Sequence, residues 1–486
     1  MTIHKLRTKY IQVGMVVASI FVFVLIHASF RLTESPPVWY DEGFYMQAAR
    51  LIVESGGDIG IMLSPEVNVG GEAITVGFPL IYPLGAALHL FGHSIHVARV
   101  VMVVFLLLFT GALWCYARRA FGVVVAVGVC VLIATLPTLY GNGKSVLGEV
   151  PGLFFLLLFM SSLYAYASRP RMGVLIAGGI ALGLGAATKP VFLLALLALI
   201  PVLVLKRKQL HLNPTMLTIG TLATLVPLVV WAATQFGSNT SLTALISFYA
   251  NPYEAGGVAT LMSHNAFRFL REAVPLYLGA MMVLWVAALV LRHHRGVAVL
   301  PSEMFAFLFA ILVLVFYMRT PGWYRYFFPA LVLAIIFLPN NLMVLARAVF
   351  KRTRWQQIVV TTCVILLASV HLYQLYFDSW VAGYYQSRDT AQLETFFREW
   401  STSHRGPLLL YNIPEIAIFL DPQLQYYQYL RPHENQVLGV ENLSLLGQGY
   451  FRSIIINTKT LANIEVLWQN MYPASTTIGH YTVLEK

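Results

Sequence analysis

Residues 5–50 read KLRTKYIQVGMVVASIFVFVLIHASFRLTESPPVWYDEGFYMQAAR. Three basic residues, Lys5, Arg7 and Lys9, precede an apolar run over 10–29; a proline pair then leads into two adjacent carboxylates, Asp41 and Glu42. A run of roughly 20 residues free of Lys, Arg, Asp and Glu is long enough to cross a bilayer. It is long for a signal-peptide core, and no small-x-small cleavage site follows it. We read it as a retained first span, with its basic end cytoplasmic and Asp41 just outside.

The rest of the chain follows the same grammar. Of its 486 residues 58% are hydrophobic and only 11% charged, against about 25% charged in an ordinary soluble chain. Lipid is therefore the solvent for most of it. Further apolar runs fall near 96–117, 120–139, 151–167, 172–187, 190–205, 215–234, 275–291, 302–318, 326–346 and 357–377. The expected fold is an all-α polytopic membrane domain of about eleven helices over residues 1–377. A small extracytoplasmic α/β domain over 378–486 follows it.

Charge placement sets the orientation. Arg118/Arg119, Arg169/Arg171, Lys206/Arg207/Lys208, Arg292/Arg295 and Arg347/Lys351/Arg352/Arg354 fall on the side of the amino terminus, whereas Asp41, Glu42, Glu54, Asp58, Glu66, Glu72, Glu254 and Glu272 fall on the other. Basic connections stay cytoplasmic, so the tail beyond Asp378 is expected outside. The net charge of +11 is then an orientation signal, and nucleic acid is set aside as a partner. A further span over 78–92 would break the alternation, so that segment, with Pro79, Tyr82 and Pro83, is read as a helix lying at the outer interface. The three cysteines, Cys115, Cys130 and Cys363, all lie in apolar runs and read as small core residues.

Two outer regions are large: the first loop, 31–95, and the tail. The tail alternates strand-like runs (408–411, 453–456, 481–484) with helical ones (415–420, 460–471), the pattern of a small α/β unit. A third loop, 235–274, has the length of a mobile lid. No internal repeat or low-complexity tract is evident.

Pro36–Arg50 resembles the signature of the GT-C glycosyltransferases: an Asp-Glu pair in the first outer loop, with an aromatic and small residues one turn on. The closest likeness is to the branch of protein O-mannosyltransferases and lipid A aminoarabinose transferases. Phe78-Pro79-Leu80-Ile81-Tyr82-Pro83-Leu84, Phe91-Gly92, Ala98-Arg99, Ser145-Val146-Leu147-Gly148-Glu149-Val150-Pro151, Ala187-Thr188-Lys189-Pro190 and Trp323-Tyr324-Arg325-Tyr326 are similar to family motifs in the same order. The resemblance covers roughly residues 1–350 and implies a sugar donor on polyprenyl phosphate. Its implied acceptor is a lipid, a glycan or a protein.

Such a transfer needs a carboxylate to take the acceptor's proton and cations to hold the departing phosphate. Asp41 is the candidate base. Glu42 is its neighbour at about 100° around the helix, so only one of the two aims straight at the site. Glu149, at the mouth of the fourth span, is costly at membrane depth and therefore a functional candidate; the family often carries Asp there. With Asp41 it either positions the acceptor or binds a divalent cation; metal use varies across the superfamily. Lys189, Arg325, Lys144 and Arg319 are the cations on this side, although a lone interfacial Lys or Arg also snorkels to headgroups. Tyr45, Tyr82, Trp323, Tyr324 and Tyr326 are candidates to stack on sugar or prenyl groups, a composition that an interfacial belt also gives. His264 and Arg268 in the third loop complete the set. The inner connections hold no phosphate-cradling glycine loop and no Asp-x-Asp pair, which argues against cytoplasmic nucleotide-sugar chemistry. Two other readings are a transporter or flippase of lipid-linked sugars, which would favour matched broken spans in inverted repeats, and a non-catalytic cell-envelope assembly protein.

Overall fold

The computed structural model describes the chain apart from residues 1–2, 56–58, 72–73, 237–256, 422, 434–435 and 462–470. Among the described residues, eight helices are long and apolar enough to cross a membrane. They are α1 (Ile3–Ser29), α4 (Ile95–Phe121), α7 (Glu149–Ser168), α10 (Pro214–Phe236), α12 (Ala273–His294), α13 (Pro301–Met318), α14 (Phe328–Val349) and α15 (Thr353–Phe377, running on to Gly383). A ninth counts if α5 (Val123–Thr135) and α6 (Pro137–Lys144), bent by 63°, form one span. The apolar helices α8 (Met172–Thr188) and α9 (Leu194–Leu205), the latter opening on a 3-10 turn at Pro190–Leu193, fill the remaining forecast runs.

The bend between α5 and α6 has a local cause. Pro137 has no N–H to donate, and it pushes Leu136 into extended backbone (φ −70°, ψ 116°). Close packing elsewhere relies on small residues. A Cβ at Gly183 of α8 would lie 2.4 Å from the Thr224 carbonyl oxygen of α10, so these backbones touch. The most enclosed span is α14, with 72% of its apolar window buried, against 11% for α1 and α10. The bundle is therefore centred on α14, with α1 and α10 at its margin.

Outside the long helices, α2 (Tyr40–Ser55) packs on the 14-residue α3 (Phe78–Phe91), and a short hairpin, β1 (Gly60–Ser64) with β2 (Val67–Gly70), lies between them in sequence. At 14 residues α3 is about 21 Å long, short of the hydrocarbon thickness. The expected third loop is partly helical: α11 (Val258–Arg271) stands in it, and much of the rest lies outside the described residues.

The tail opens with α16 (Asp389–Ser403) and builds a six-stranded sheet in the order β5-β4-β3-β6-β8-β7. The strands are β3 (Leu408–Tyr411), β4 (Tyr426–His433), β5 (Gln436–Leu438), β6 (Ser453–Asn457), β7 (Ala474–Ile478) and β8 (Tyr481–Glu485). β4, β3 and β6 are parallel, and the outer pairs antiparallel. All three forecast strands are present. The forecast helix over 415–420 is a 3-10 turn, Pro414–Ile418, and most of 460–471 lies outside the described residues. The sheet sits against the first-loop elements: Gln428 donates to the carbonyl of Met62 at 2.5 Å, and Asn442 to that of Leu63 at 3.1 Å.

Candidate active site

The site is built on the first turn of α2. Glu42 is the third residue of that helix and accepts the backbone N–H of Trp39 at 2.9 Å, closing the turn as a capping glutamate does. Its two oxygens also take the fork of Arg99 from α4, Nε at 3.1 Å and Nη2 at 2.8 Å. A further bond comes from the N–H of Val146 at 2.9 Å. Arg99 spends its remaining donors on the carbonyls of Leu32, Thr33, Pro36 and Pro37. Both side chains are 0% exposed. One buried ion pair thus ties the exit of α1, the start of α2, α4 and the segment before α7 into a single knot. Glu42 has no oxygen left for substrate, and its placement is that of a positioning group.

Asp41 points elsewhere. Its Oδ2 is 2.6 Å from Nη1 of Arg325, and its side chain keeps 24% exposure, unlike the fully buried Glu42. Arg325 sits on the 3-10 turn Tyr324–Tyr326, with its guanidinium 4.7 Å from the Trp323 ring, 5.3 Å from Tyr326 and 5.7 Å from Trp39. These faces hold it in the plane that meets Asp41. The preceding loop is braced by α11: Asn265 donates to the carbonyls of Tyr317, Met318 and Thr320, and Arg268 pairs with Glu272 at 2.8 Å. Arg268 also bonds the Gly322 carbonyl, and the Tyr324 hydroxyl bonds Glu272.

A second pair lies alongside. Lys189, between α8 and the 3-10 turn, donates to Glu149 at 2.5 Å and to the carbonyl of Leu147 at 2.7 Å. Both residues are buried, and Oε2 of Glu149 has no hydrogen-bond partner. Asp41, Arg325, Glu149 and Lys189 lie within mutual electrostatic reach, with Tyr45 among them. Tyr45, one turn after Asp41, bonds Thr75 at 2.6 Å, and burial pushes its phenol well above the usual range, so it stays a donor. The arrangement is two carboxylates and two cations, already paired, at one end of the bundle.

The other sequence candidates are placed differently. Lys144 is buried, donates to the Phe30 carbonyl at 2.7 Å, and has Arg99 as its charged neighbour, so it belongs with the structural knot. Arg319 is exposed at the end of α13. His264 is exposed on α11 near Glu272, and Tyr324 is engaged with that same glutamate. Tyr82 lies half-buried against Phe78, while Trp323 is 47% exposed over Arg325. Among the described residues no three His, Cys, Asp or Glu side chains gather as a metal site.

A model of the family described as dolichyl-phosphate-mannose-protein mannosyltransferase matches residues 78–233. The whole chain superposes on ArnT from Cupriavidus metallidurans bound to undecaprenyl phosphate, with TM-score 0.62 and 16% identity over 97% of each chain. The apo form of that protein gives 0.61 and 15% over 98% of each. The chain therefore has the fold of that ArnT, and its part over 78–233 is similar to the mannosyltransferase family. An oligosaccharyltransferase from Archaeoglobus fulgidus, in complex with zinc and sulfate, matches at TM-score 0.57 and 13% identity, over 84% of this chain and 62% of that one. No curated protein matches the sequence. At these identities the structural likenesses speak for the GT-C fold, and the chemistry has to be argued from the side chains.

Sequence reading named Asp41, Glu149, Lys189 and Arg325 singly, but missed the contacts that hold the first turn of α2. The Arg99–Glu42 knot joins residues 57 apart, and Trp39 and Asn265 carry no local signal of their own.

Proposed function

We propose that the chain transfers a sugar from polyprenyl phosphate to an extracytoplasmic acceptor, inverting the anomeric carbon, with Asp41 as general base. The observation that carries this reading is the pair of adjacent ion pairs, Asp41–Arg325 and Glu149–Lys189. A lipid phosphate arriving between them competes for Arg325 and Lys189, and so releases Asp41 from its guanidinium partner. The freed carboxylate takes the proton of the acceptor hydroxyl as that oxygen bonds to the anomeric carbon. The carbon–oxygen bond to phosphate breaks in the same displacement, and the lipid phosphate leaves with the electron pair, held by the two cations. Donor-first binding follows, because the base is masked until phosphate arrives. The undecaprenyl phosphate of the ArnT structure supports a lipid phosphate as leaving group here.

Sidedness has the same support. Arg118 and Arg119 close α4, whose first turns carry Arg99; Arg169 follows α7, which begins at Glu149. The basic clusters therefore lie at the far ends of the helices that bear the site, about 30 Å away. With those ends cytoplasmic, the amino terminus is inside, and the site and the domain from 378 onward face outward. Residues 1–377 are then the catalytic domain.

Lys189→Ala and Arg325→Ala are expected to raise the donor KM at least about tenfold each, with the melting temperature changed less than donor use. Steady-state kinetics with varied donor measures this; unchanged donor KM in both variants would overturn the phosphate assignment. A transporter would instead move labelled lipid across the bilayer without product.

A further inference from the structure

The C-terminal region delivers a carboxyl group, that of Glu415, to the helix that carries Asp41. The segment after β3 runs along the first two turns of α2. Tyr40 donates to Oδ1 of Asn412 at 2.9 Å, and Gln47 to the carbonyl of Pro414 at 3.1 Å. At Gly43, two residues past Asp41, a Cβ would lie 2.4 Å from the backbone N of Glu415 and 2.4 Å from the carbonyl carbon of Pro414. The two backbones are in contact, and no side chain larger than hydrogen fits between them.

Glu415 itself is buried in this seam. Its Oε1 accepts the Tyr481 hydroxyl at 2.9 Å, and its Oε2 has no partner. The titratable groups facing it are Asp41 and Tyr40 from α2 and Tyr481 from β8. A buried oxygen without a partner is costly, and an apolar side chain would pack a plain interface better. We propose that Glu415 is a positioning residue for the transfer reaction: it seats the C-terminal region on the first turn of α2 and so fixes the aim of Asp41. The inference rests on the reading of Asp41 as the base.

The electrostatics agree. Burial, with the charge of Asp41 adding to it, pushes the Glu415 carboxyl up to about 7. The neutral acid is thus the seated form. Because the folded value is raised above the free one, its contribution to docking is complete below the usual carboxylate range. That contribution is lost as pH rises through about 7, when a carboxylate would face Asp41.

The test is turnover of the full-length protein in lipid nanodiscs, with kcat and donor KM followed on both sides of pH 7. Glu415→Gln, permanently neutral, is expected to match wild type on the acid side and exceed its kcat about tenfold on the alkaline side. Tyr481→Phe removes the one hydroxyl that favours the charged form, so its alkaline limb should move to higher pH. Gly43→Ala should lower kcat about tenfold or more at every pH, with donor KM within about twofold of wild type, since Lys189 is untouched. Profiles of Glu415→Gln and Tyr481→Phe that superimpose on wild type would overturn the proposal. So would a Gly43→Ala loss that only tracks the amount of folded protein. If Asp41→Asn retains turnover, the base assignment is what fails, whichever way Glu415 behaves.

Discussion

Asp41→Asn is expected to lower sugar transfer at least about a hundredfold at unchanged expression and melting temperature. The substitution is isosteric, and its amide oxygen still accepts from Arg325, so the 2.6 Å contact and the turn that bears it survive. What disappears is the ability to take a proton, along with the charge that a bound phosphate would release from Arg325. Donor KM should therefore move little or fall, since nothing negative is left to compete with the phosphate. Membranes containing wild type or variant, given a panel of radiolabelled polyprenyl-phosphate sugars, provide the measurement. Label transferred by wild type and retained on the donor by the variant supports general-base catalysis. Label carried across the bilayer without transfer, equally by both, hands the protein to the transporter reading.

Why Asp41 was legible while its surroundings were not follows from the range of each signal. Apolar runs and basic connections are local, so the helices and the ends carrying Arg118, Arg169 and Lys206 could be read from composition alone. The pair Asp41–Glu42 stood out because two carboxylates beside a span need a reason. Which of them is tied up in the buried knot depended on Arg99, one turn into another helix, and on Val146, 104 residues further along the chain than Glu42. Glu149 and Lys189 were each visible as charges interrupting apolar sequence, yet their pairing is a property of how α7 meets α8. Lys144, the weaker candidate beside Lys189 in sequence, lies past the bend at Pro137 and bonds the Phe30 carbonyl. The tail was the least legible. Its strand-like runs 408–411, 453–456 and 481–484 declared themselves, whereas β4 carries Gln428 and Arg431, and Glu415 reads only as the start of a helical run until the seam with α2 is built.

Removing Arg99 should have the largest effect on folding. In Arg99→Met the Glu42 carboxylate stays buried with its counter-charge gone, and a buried pair broken on one side typically costs about 3–5 kcal/mol. Four carbonyls, those of Leu32, Thr33, Pro36 and Pro37, lose their donor at the same time. Glu42→Gln is the milder partner: the amide keeps an acceptor for Val146 or Trp39, while Arg99 is left charged and buried. The double variant Glu42→Leu/Arg99→Met removes both charges, so it should be more stable than the sum of the single losses predicts. It cannot return to wild type, because the carbonyls remain unpaired. Thermal melting of purified protein in one detergent checks the ordering, and turnover checks its consequence. Since the same knot sets the first turn of α2, Arg99→Met should lose kcat even in the fraction that stays folded, through a misdirected Asp41. An Arg99→Met protein that melts with wild type and keeps its kcat would show that Asp41 is held by Arg325 and the C-terminal seam alone.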